Sequence, residues 1–366
     1  MKRVALIMAG GAGERFWPVS RQRKPKQLLN LVSEKMMIEE AIDRVEGIID
    51  IKDIFIITNE LLQEHIREAL PSLPAENIIA EPAKRNTAPC LALGAAFLQA
   101  HYGLPNEEIS IAVLTADHVM KPIEKFRESV QLAMDFSEKG NSIVVFGIKP
   151  NRAETGYGYI ELSNESEEIE KVVSFKEKPN SETAEEYLRK GNYLWNSGMF
   201  FYRLDTFIRE LHKTLPEVGN RIIDLKEKYN GKTSTQFRGA NPEVKELFAS
   251  FPDISIDYGL IERSQVIYCC KARFDWDDIG SWDSLERVLN SGLDGNISQG
   301  DNLFIESNNV IVMDFAKQHK HISVVGMENI IVIHTDDAIL VCPKSKAQEV
   351  KKIVESHKKN QRLDLL

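Results

Sequence analysis

Cysteine is scarce in this sequence: four residues, Cys90, Cys269, Cys270 and Cys342, are spread over 366 positions. They form no C-x-x-C pair, and their spacing is not typical of a disulfide framework or a zinc knuckle. Reduced thiols in the cytoplasm are therefore the expected state of these side chains.

A long hydrophobic run is also missing. No segment approaches the ~18–20 apolar residues that a membrane span requires. The chain begins with two positive charges, but the apolar stretch at residues 4–9 leads straight into glycines and Arg15. That stretch is shorter than the ~7–15 residues of a signal-peptide core. We therefore expect a buried first strand and no membrane partner.

Basic residues do not predominate. Lys and Arg total 46 against 55 Asp and Glu, which gives a net charge of −9. Such a protein repels a nucleic-acid backbone, so we expect no nucleic-acid partner and infer that any phosphate site is local. With 43% hydrophobic and 28% charged residues, the composition is typical of a folded protein. The length predicts two or three domains.

Residues 1 to about 147 alternate short apolar runs with amphipathic stretches. The alternation predicts right-handed βαβ crossovers, and hence a Rossmann-like, mostly parallel α/β sheet with helices on both faces. The ligand site of such a sheet lies at the carboxyl ends of its strands. The predicted strands are 4–9, 53–58, 77–81, 109–116 and 142–148, and the predicted helices are 36–48, 60–70, 87–102 and 123–140.

The pattern loosens after residue 150 and changes again at Ser291. We expect residues 1–290 to form one α/β domain, with later strands at GYGYIELS, EKVVSFKEKP and YLWNSGMFFYR and helices near 181–190, 204–229 and 281–289. Residues 291–366 predict a small β domain that ends in a helix at 346–359. Its segments VIVM, ISVV, IIVI and AILV recur irregularly, which indicates a few turns of a β-solenoid, with a left-handed β-helix as one form.

The first predicted strand runs into a glycine-rich segment, GGAGERFWPVSRQRKPKQL. It lacks the P-loop pattern, and Phe16 stands where a dinucleotide fingerprint needs a third glycine. What remains is a turn whose backbone N–H groups can wrap an anion. The alternative is that this segment is only a basic surface loop. Its position at the end of a central strand favours a phosphate site instead. Its basic residues are Arg15, Arg21, Arg23, Lys24 and Lys26.

Two aspartate-bearing segments are candidates for a cation site. Asp117 follows the strand at 109–116, and FDWDDIGSWDSL carries Asp277, Asp278 and Asp283 before a predicted helix. One or two carboxylates, completed by phosphate oxygens, are the usual protein ligands of Mg²⁺. For Asp277 and Asp283 we favour a helix-capping role. Asp117 is the better candidate ligand, because no helix follows it directly.

Eight motifs follow one another along residues 1–290: GGAGERFWPVSRQRKPKQL, EPAKRNTAPC, LTADHVM, ETGYGYIEL, FKEKP, WNSGMFFYR, SIDYGLIER and FDWDDIGSW. They stand in the order in which they occur in mannose-1-phosphate guanylyltransferases, a group within the sugar-nucleotidyltransferase family. Residues 1–290 therefore resemble that group. EPAKRNTAP and WNSGMF are the more particular to the guanylyl group. The departures, Ala153, Lys176 and Ile261, remove no charge that the chemistry needs.

The resemblance implies that mannose 1-phosphate attacks the α-phosphorus of GTP, giving GDP-mannose and pyrophosphate. A phosphate monoester is largely dianionic at neutral pH, so no general base is needed. Catalysis then rests on positioning and on stabilising charge.

The resemblance also implies particular contacts. Arg15 and Lys26 would neutralise the β and γ phosphates. Asp117 and Asp278 would hold Mg²⁺, and Lys178 would contact the phosphates at the reacting centre. The implied nucleotide-binding residues are Ala9, Gly10, Gly11, Gly13, Glu81, Arg85, Asn86 and Asp117, and the implied sugar-phosphate residues are Gly156, Glu177, Lys178 and Asn196.

Within the nucleotide set, Glu81 is the candidate acceptor for the N1–H and N2–H₂ donors of guanine. The alternative is a surface ion pair between Glu81 and Arg85.

Other functions stay open at this stage. A sister transferase with another sugar or base shares several of the motifs, and a non-catalytic paralogue could sense GDP-mannose. The presence of Arg15, Lys26 and both aspartates favours the enzyme. The pair His319 and His321 resembles half of a metal site but lacks a third ligand. By resemblance we also expect a homodimer.

Overall fold

A computed structural model describes residues 1–163, 167–232, 234–236 and 240–366. The elements predicted up to residue 148 are confirmed to within a few residues, except that the first helix ends at Asp43 because residues 44–49 form successive turns. The strands are β1 (Lys2–Met8), β2 (Ile54–Asn59), β3 (Ile78–Glu81), β4 (Ile109–Thr115), β5 (Val119–Lys121) and β6 (Ile143–Ile148). The helices are α1 (Met37–Asp43), α2 (Glu60–Ala69), α3 (Thr87–Tyr102) and α4 (Ile123–Glu138).

Three predictions for residues 150–290 were wrong in detail. The stretch 170–179 is two strands, because Val172 N–H bonds to Ile267 whereas Val173 N–H bonds to Glu161. The helix at 204–229 is broken at Pro216, whose predecessor leaves the helical region. The helix at 281–289 is a 3₁₀ helix over Trp282–Arg287. The strands are β7 (Gly158–Glu161), β8 (Ile169–Lys171), β9 (Ser174–Glu177), β10 (Tyr193–Arg203), β11 (Ile267–Lys271) and β12 (Asp275–Asp277); the helices are α5 (Ser181–Lys190), α6 (Leu204–Thr214), α7 (Pro216–Gly219), α8 (Ile222–Tyr229) and α9 (Pro242–Ala249).

One sheet carries most of these strands in the order β3-β2-β1-β4-β10-β6-β11-β8, with β7 beside β10 and β9 beside β7. Strands β3, β2, β1 and β4 run parallel, whereas β10 is antiparallel to both of its neighbours β4 and β6. Successive residues of a strand face opposite sides. On β6, Val145 lies in the cluster that includes α3, whereas Phe146 packs against Phe126 of α4. The predicted α/β class with helices on both faces is confirmed.

The C-terminal strands form parallel coils. Ile297 lies opposite Ile311, and Ile311 lies opposite Ile331; in a second sheet Asn302 lies opposite Ile322. Successive parallel strands that stack on one another are typical of a solenoid, so the predicted β-solenoid is confirmed, although its last strand, Ile339–Pro343, runs antiparallel to its neighbour. The elements are β13 (Ile297–Gln299), β14 (Asn302–Ile305), β15 (Ile311–Asp314), β16 (Ile322–Val325), β17 (Ile330–His334), β18 (Ile339–Pro343) and α10 (Lys351–Lys359).

The chain divides into two compact units that interleave along the sequence. The sheet unit comprises Met1–Gly10, Ala41–Ala116 and Met120–Trp276, and the solenoid unit comprises Gly11–Glu40, Asp117–Val119 and Asp277–Leu366. The glycine-rich segment belongs to the solenoid unit because Phe16 and Trp17 are buried in one apolar cluster with Ile311 and Ile331.

Three of the cysteines, Cys90, Cys269 and Cys270, are buried free thiols, and Cys342 is a partly exposed one. Within the part of the chain that the structure describes, every helix is too short or too polar to cross a bilayer.

Candidate active site

The solenoid unit contains a cavity of about 350 Å³ beside the glycine-rich segment, which we call the Lys26 cavity. Its walls combine the glycine loop, both predicted metal ligands and the first residue of α10. The lining residues are Ala12, Gly13, Glu14, Arg15, Phe16, Lys26, Asp117, His118, Asp278, Ile279, Gly280 and Lys351. The structure thus brings together four of the side chains that the resemblance singles out: Arg15, Lys26, Asp117 and Asp278.

Lys26 organises this cavity. Lys26 is buried, with only 5% of its surface exposed. Its Nζ donates to Asp117 Oδ2 at 3.0 Å and to the backbone oxygen of Asp278 at 2.6 Å. The ammonium also lies 5.7 Å from the centroid of the Phe16 ring. A buried ammonium is tolerated only when such partners replace water. Lys26 therefore holds the two aspartate segments around one positive charge.

Gly13 lets the loop approach Lys26 closely. Its φ is +62°, and a Cβ there would lie 2.6 Å from Lys26 Cβ. Both facts exclude other residues at this position. Ser20 Oγ donates to the Gly13 carbonyl at 2.6 Å, which fixes the turn. Arg15, which is exposed, lies two residues further on the cavity wall.

The loop before Gly13 is open to solvent at Gly10 and Gly11, so the backbone is accessible to a ligand there. Ala9, which was also predicted to bind the nucleotide, is by contrast buried. Its N–H donates to Ile57 O at 2.9 Å, and its carbonyl accepts from Thr58 Oγ1 at 2.8 Å. Ala9 thus anchors the start of the loop within the sheet unit.

Asp117 is ionised in this setting. Burial by itself raises the pKa of its carboxyl, but the Lys26 ammonium, and next His118, outweigh that effect and hold the pKa below its ordinary value. His118 Nε2 lies 3.8 Å from Asp117 Oδ1. An ionised carboxylate is the form that ligates a hard cation.

The residues of the Lys26 cavity suit an Mg²⁺ ion whose remaining ligands are oxygens of a bound phosphate. Asp117 and Asp278 line the same cavity, and a Cβ at Gly280 would lie 3.5 Å from Asp278 Oδ2, so glycine leaves room beside that carboxylate. Among the described residues there is no group of three or more His, Cys, Asp or Glu side chains that could hold a metal by itself. Two carboxylates completed by phosphate oxygens are a common Mg²⁺ arrangement.

The sheet unit holds a second polar group, the Glu177 cluster, which consists of Glu177, Lys178, Asn196 and Asp257. Lys178 Nζ lies 3.0 Å from Glu177 Oε1, and Asn196 Nδ2 donates to Asp257 Oδ1 at 2.9 Å. Glu177 and Asn196 are buried, at 7% and 8% exposure. Three of the predicted sugar-phosphate residues are therefore neighbours.

Local backbone features position this cluster. Asn196 begins an irregular stretch of β10 where the pairing with β6 shifts before Phe200, and its Oδ1 accepts from Gly198 N–H at 3.2 Å. Gly158 lies opposite Glu177 on the neighbouring strand, and a Cβ there would lie 2.5 Å from Glu177 Oε2. Glycine at 158 therefore makes space for the Glu177 carboxylate.

Asp257 is a member that the sequence analysis missed. It begins a π-helical turn, Asp257–Ile261, within the motif SIDYGLIER. Burial, and next the negative charge of Glu177, raise the pKa of Asp257 to about 7. The motif SIDYGLIER is recognisable in the sequence, but the sequence analysis predicted no function for its aspartate.

Gly156, the fourth predicted sugar-phosphate residue, is exposed, and its N–H donates to Glu154 Oε1 at 3.2 Å. It adjoins an aromatic wall: the Tyr157 ring lies 5.2 Å from that of Trp195, and the Arg152 guanidinium lies 4.9 Å from the Trp195 centroid. Trp195 itself is buried, so these contacts hold the segment that carries Gly156 against β10.

The side chains of Glu81 and Arg85, two of the predicted base-reading residues, bond to other partners and do not form an ion pair with each other. The Glu81 carboxyl accepts from the Arg85 backbone N–H and from the Cys90 thiol, whereas burial raises its pKa to about 7. The Arg85 guanidinium donates instead to Ala249 O at 2.8 Å. Asn86 caps α3, its side chain accepting from Thr87 N–H at 3.0 Å.

Other candidates have structural partners. Arg21 bonds to Asp337 at 2.8 Å. Asp277 accepts from Ile279 N–H and pairs with Arg287, so its role is structural, but the predicted helix cap is wrong because Ser281 is the N-cap of the helix over Trp282–Arg287. His319 bonds to Asp314, whereas His321 bonds to Asp301, so the two histidines do not converge.

Comparisons with known proteins agree with this architecture. A sequence model of the nucleotidyl transferase family matches residues 4–294, and one described as a MannoseP isomerase/GMP-like beta-helix domain matches residues 300–356. The mannose-1-phosphate guanylyltransferase of Klebsiella pneumoniae is 36% identical over 365 residues, which cover 98% of this chain and 74% of that protein. The protein of the same name from Escherichia coli K12 is 36% identical over 364 residues, with the same coverage.

The solved structures agree as well. A crystal structure from Thermus thermophilus, described as a mannose-1-phosphate geranyltransferase, matches with a TM-score of 0.85 and 31% identity, covering 98% of this chain and 100% of that one. The resemblance inferred from the eight motifs is thereby confirmed. The chain belongs to the nucleotidyl transferase family, in the group of the mannose-1-phosphate guanylyltransferases.

Proposed function

We propose that the protein transfers GMP from GTP to α-D-mannose 1-phosphate and releases GDP-mannose and pyrophosphate. The observation that carries this proposal is the Lys26 cavity, in which a buried ammonium lies between Asp117 and Asp278 beside the tight turn at Gly13. In a chain of this family, that combination of a cation, two carboxylates and an open glycine loop suits a nucleoside triphosphate.

The reaction needs no proton transfer. A non-bridging oxygen of mannose 1-phosphate forms a bond to the α-phosphorus of GTP, and the bond from that phosphorus to the β-phosphate oxygen breaks. The electron pair of that bond leaves with pyrophosphate. Arg15 and Lys26 stabilise the negative charge that builds on this leaving group, while the backbone N–H groups of the exposed Gly10 and Gly11 hold the nucleotide.

Mg²⁺, when bound, neutralises charge on the nucleotide phosphates. Asp117 and Asp278 would hold it, and Lys26 keeps both segments in place through its bonds to the Asp117 carboxylate and the Asp278 carbonyl.

The Glu177 cluster binds the sugar phosphate in this proposal. Glu177 and Asn196 offer acceptors and a donor to the mannose hydroxyls, and Lys178 offers a cation to the phosphate of the sugar. The Glu81 carboxylate accepts from guanine N1–H and N2–H₂. Since the pKa of Glu81 is raised to about 7, guanine binding weakens as the pH falls below 7 and this acceptor is protonated.

The decisive experiment measures pyrophosphate release over a grid of GTP, ATP, UTP and CTP with mannose, glucose and N-acetylglucosamine 1-phosphates. We expect GTP to exceed ATP and UTP at least about tenfold, because the other bases lose the hydrogen bonds that guanine N1–H and N2–H₂ donate, at a cost of about 1–3 kcal/mol. The preference for mannose over glucose should be smaller, since they differ only at the 2-hydroxyl. Turnover of another pair would make this a sister transferase, and GDP-mannose binding without turnover would make it a sensor.

A homodimer in the cytoplasm completes the proposal. The solenoid presents apolar side chains on paired strands, with Ile305 at 46% and Val325 at 57% exposure, where a second copy could pack. The free thiols support a reducing compartment. Light scattering at micromolar concentration measures the mass, and a monomer contradicts the dimer.

A further inference from the structure

Lys351 lies on the wall of the Lys26 cavity, together with Arg15, Asp117 and Asp278. It is the first residue of α10, far along the chain from every motif of the family. The next residue, Lys352, is instead 2.8 Å from Glu349 in a surface ion pair. The C-terminal helix therefore directs one of two consecutive lysines to the cavity.

The charges of the cavity show why a further cation matters. Three carboxylates line it, those of Glu14, Asp117 and Asp278, against the two cations Arg15 and Lys26. Lys26 is engaged by Asp117 at 3.0 Å. A triphosphate or a pyrophosphate brings several more negative charges, so a further cation on the wall strengthens binding in addition to Arg15, Lys26 and the proposed Mg²⁺.

The helix supplies that charge in two ways. Lys358 lies 2.6 Å from Glu14 Oε1 and offsets this carboxylate. Lys351, at the other end of the helix, is itself a lining residue of the cavity. Because Lys358 offsets Glu14 and Lys26 offsets Asp117, the addition of Lys351 to Arg15 gives the rest of the wall more positive than negative charge.

The position of Lys351 is fixed by contacts within the solenoid unit. Gln348 Nε2 donates to Ser281 Oγ at 2.8 Å just before the helix, and Val354 is buried in the cluster that contains Phe16. After the helix, the carbonyl of Leu365 accepts from Trp17 Nε1 at 3.0 Å. The helix is thus held at both ends against the loop that carries Arg15.

We propose that Lys351 is a third phosphate-binding cation, whose ammonium contacts the β and γ phosphates of GTP and the departing pyrophosphate. This inference rests on the proposed guanylyl transfer. It gives the C-terminal helix a direct part in the reaction, in addition to packing.

The test compares Lys351→Ala, Lys351→Arg and the control Lys352→Ala in the full-length protein. In the reverse reaction, GDP-mannose plus pyrophosphate, we expect Lys351→Ala to raise the KM for pyrophosphate about ten- to a hundredfold, the loss typical of one charged hydrogen bond. The KM for GDP-mannose should change less than about twofold, because the GDP-mannose phosphates adjoin the sugar rather than the leaving group. Lys351→Arg should restore most of the affinity, and Lys352→Ala should match the wild type.

Calorimetric titration with magnesium pyrophosphate keeps the inference separate from the proposed function. If the wild type lacks guanylyl transfer, the proposed function fails, whereas weaker pyrophosphate binding by Lys351→Ala still supports the cation. Equal pyrophosphate affinity in Lys351→Ala and the wild type overturns the inference. So does a parallel rise in the KM for GDP-mannose, which indicates a merely structural role.

Discussion

Asp117 and Asp257 are both carboxylates withdrawn from solvent, yet their pKa values move in opposite directions. Burial raises both, but Asp117 has the Lys26 ammonium at 3.0 Å, and its pKa ends below the ordinary value. Asp257 faces the negative charge of Glu177, and its pKa rises to about 7. At Asp117 the neighbouring positive charge outweighs burial, whereas at Asp257 burial sets the direction and the charge of Glu177 reinforces it.

The difference matches the ligands proposed for the two regions. An ionised Asp117 beside Lys26 suits a metal and phosphates, which need fixed charges of both signs. A cluster with two carboxylates and Lys178 suits neutral hydroxyl groups, which donate to carboxylate oxygens without adding charge. A substitution in the Lys26 cavity or in the Glu177 cluster should therefore affect the ligand of that region and leave the ligand of the other region bound as before.

The largest effect is expected from removing the metal ligands. Asp117→Asn or Asp278→Asn should lower kcat/KM on the order of a hundredfold to a thousandfold, because an amide no longer balances the cation. Initial rates of pyrophosphate release measure the effect, and circular dichroism checks the fold. Asp283→Asn is the control, since the Asp283 carboxylate accepts from Ser281 Oγ in a helix cap. Full activity of the wild type in excess chelator would contradict the Mg²⁺ proposal.

The next effect concerns Arg15. Since it acts on charge that builds in the transition state, Arg15→Ala should lower kcat about a hundredfold and change the KM for GTP far less. Arg23→Ala, an exposed residue of the same segment, is the control and should resemble the wild type. If Arg15→Ala raised the KM for GTP and left kcat unchanged, Arg15 would serve binding alone.

The predictable part of the site is the part that lies next to strand ends. Asp117 follows β4 directly, and the glycine loop follows β1, so the rule for the carboxyl ends of parallel strands applied to both. The alternation of apolar runs located most of the strands up to β6 for the same reason: buried parallel strands leave a strong local pattern.

The rest depends on contacts between distant parts of the chain. Asn196 and Asp257 are 61 positions apart and meet only through packing around a π-helical turn. Lys351 reaches the Lys26 cavity because Trp17 and Val354 share one apolar cluster. No local period encodes such pairings. The break at Pro216 is different, since proline and its predecessor are a readable signal in a helix.

A smaller effect is expected in the Glu177 cluster. Glu177→Ala should raise the KM for mannose 1-phosphate about tenfold, the cost of one hydrogen bond to a charged group, and leave GTP binding nearly unchanged by calorimetry. Glu182→Ala, exposed on α5, is the matched control. A loss of GTP affinity in Glu177→Ala would place Glu177 on the nucleotide side and reverse the assignment of the two regions.

The smallest effect is on stability and comes from Asp257 itself. Because its pKa is about 7 in the folded protein and near 4 in an unfolded chain, the folded state holds this proton more tightly. The resulting stabilisation is complete below about pH 4 and is lost as the pH rises through 7. Asp257→Asn has no proton to lose, and its amide oxygen can still accept from Asn196.

The free energy of unfolding of Asp257→Asn should therefore increase relative to the wild type between about pH 4.5 and pH 8, by on the order of 1 kcal/mol, after a discount for local relaxation and for the partial exposure of Asp257. Urea unfolding of both proteins at several pH values measures this difference. Asp253→Asn, at an exposed site in the same segment, should run parallel to the wild type throughout. If Asp257→Asn also ran parallel, the Asp257 carboxyl would be ionised over the whole range, as Asp117 is, and the contrast between the two regions would disappear.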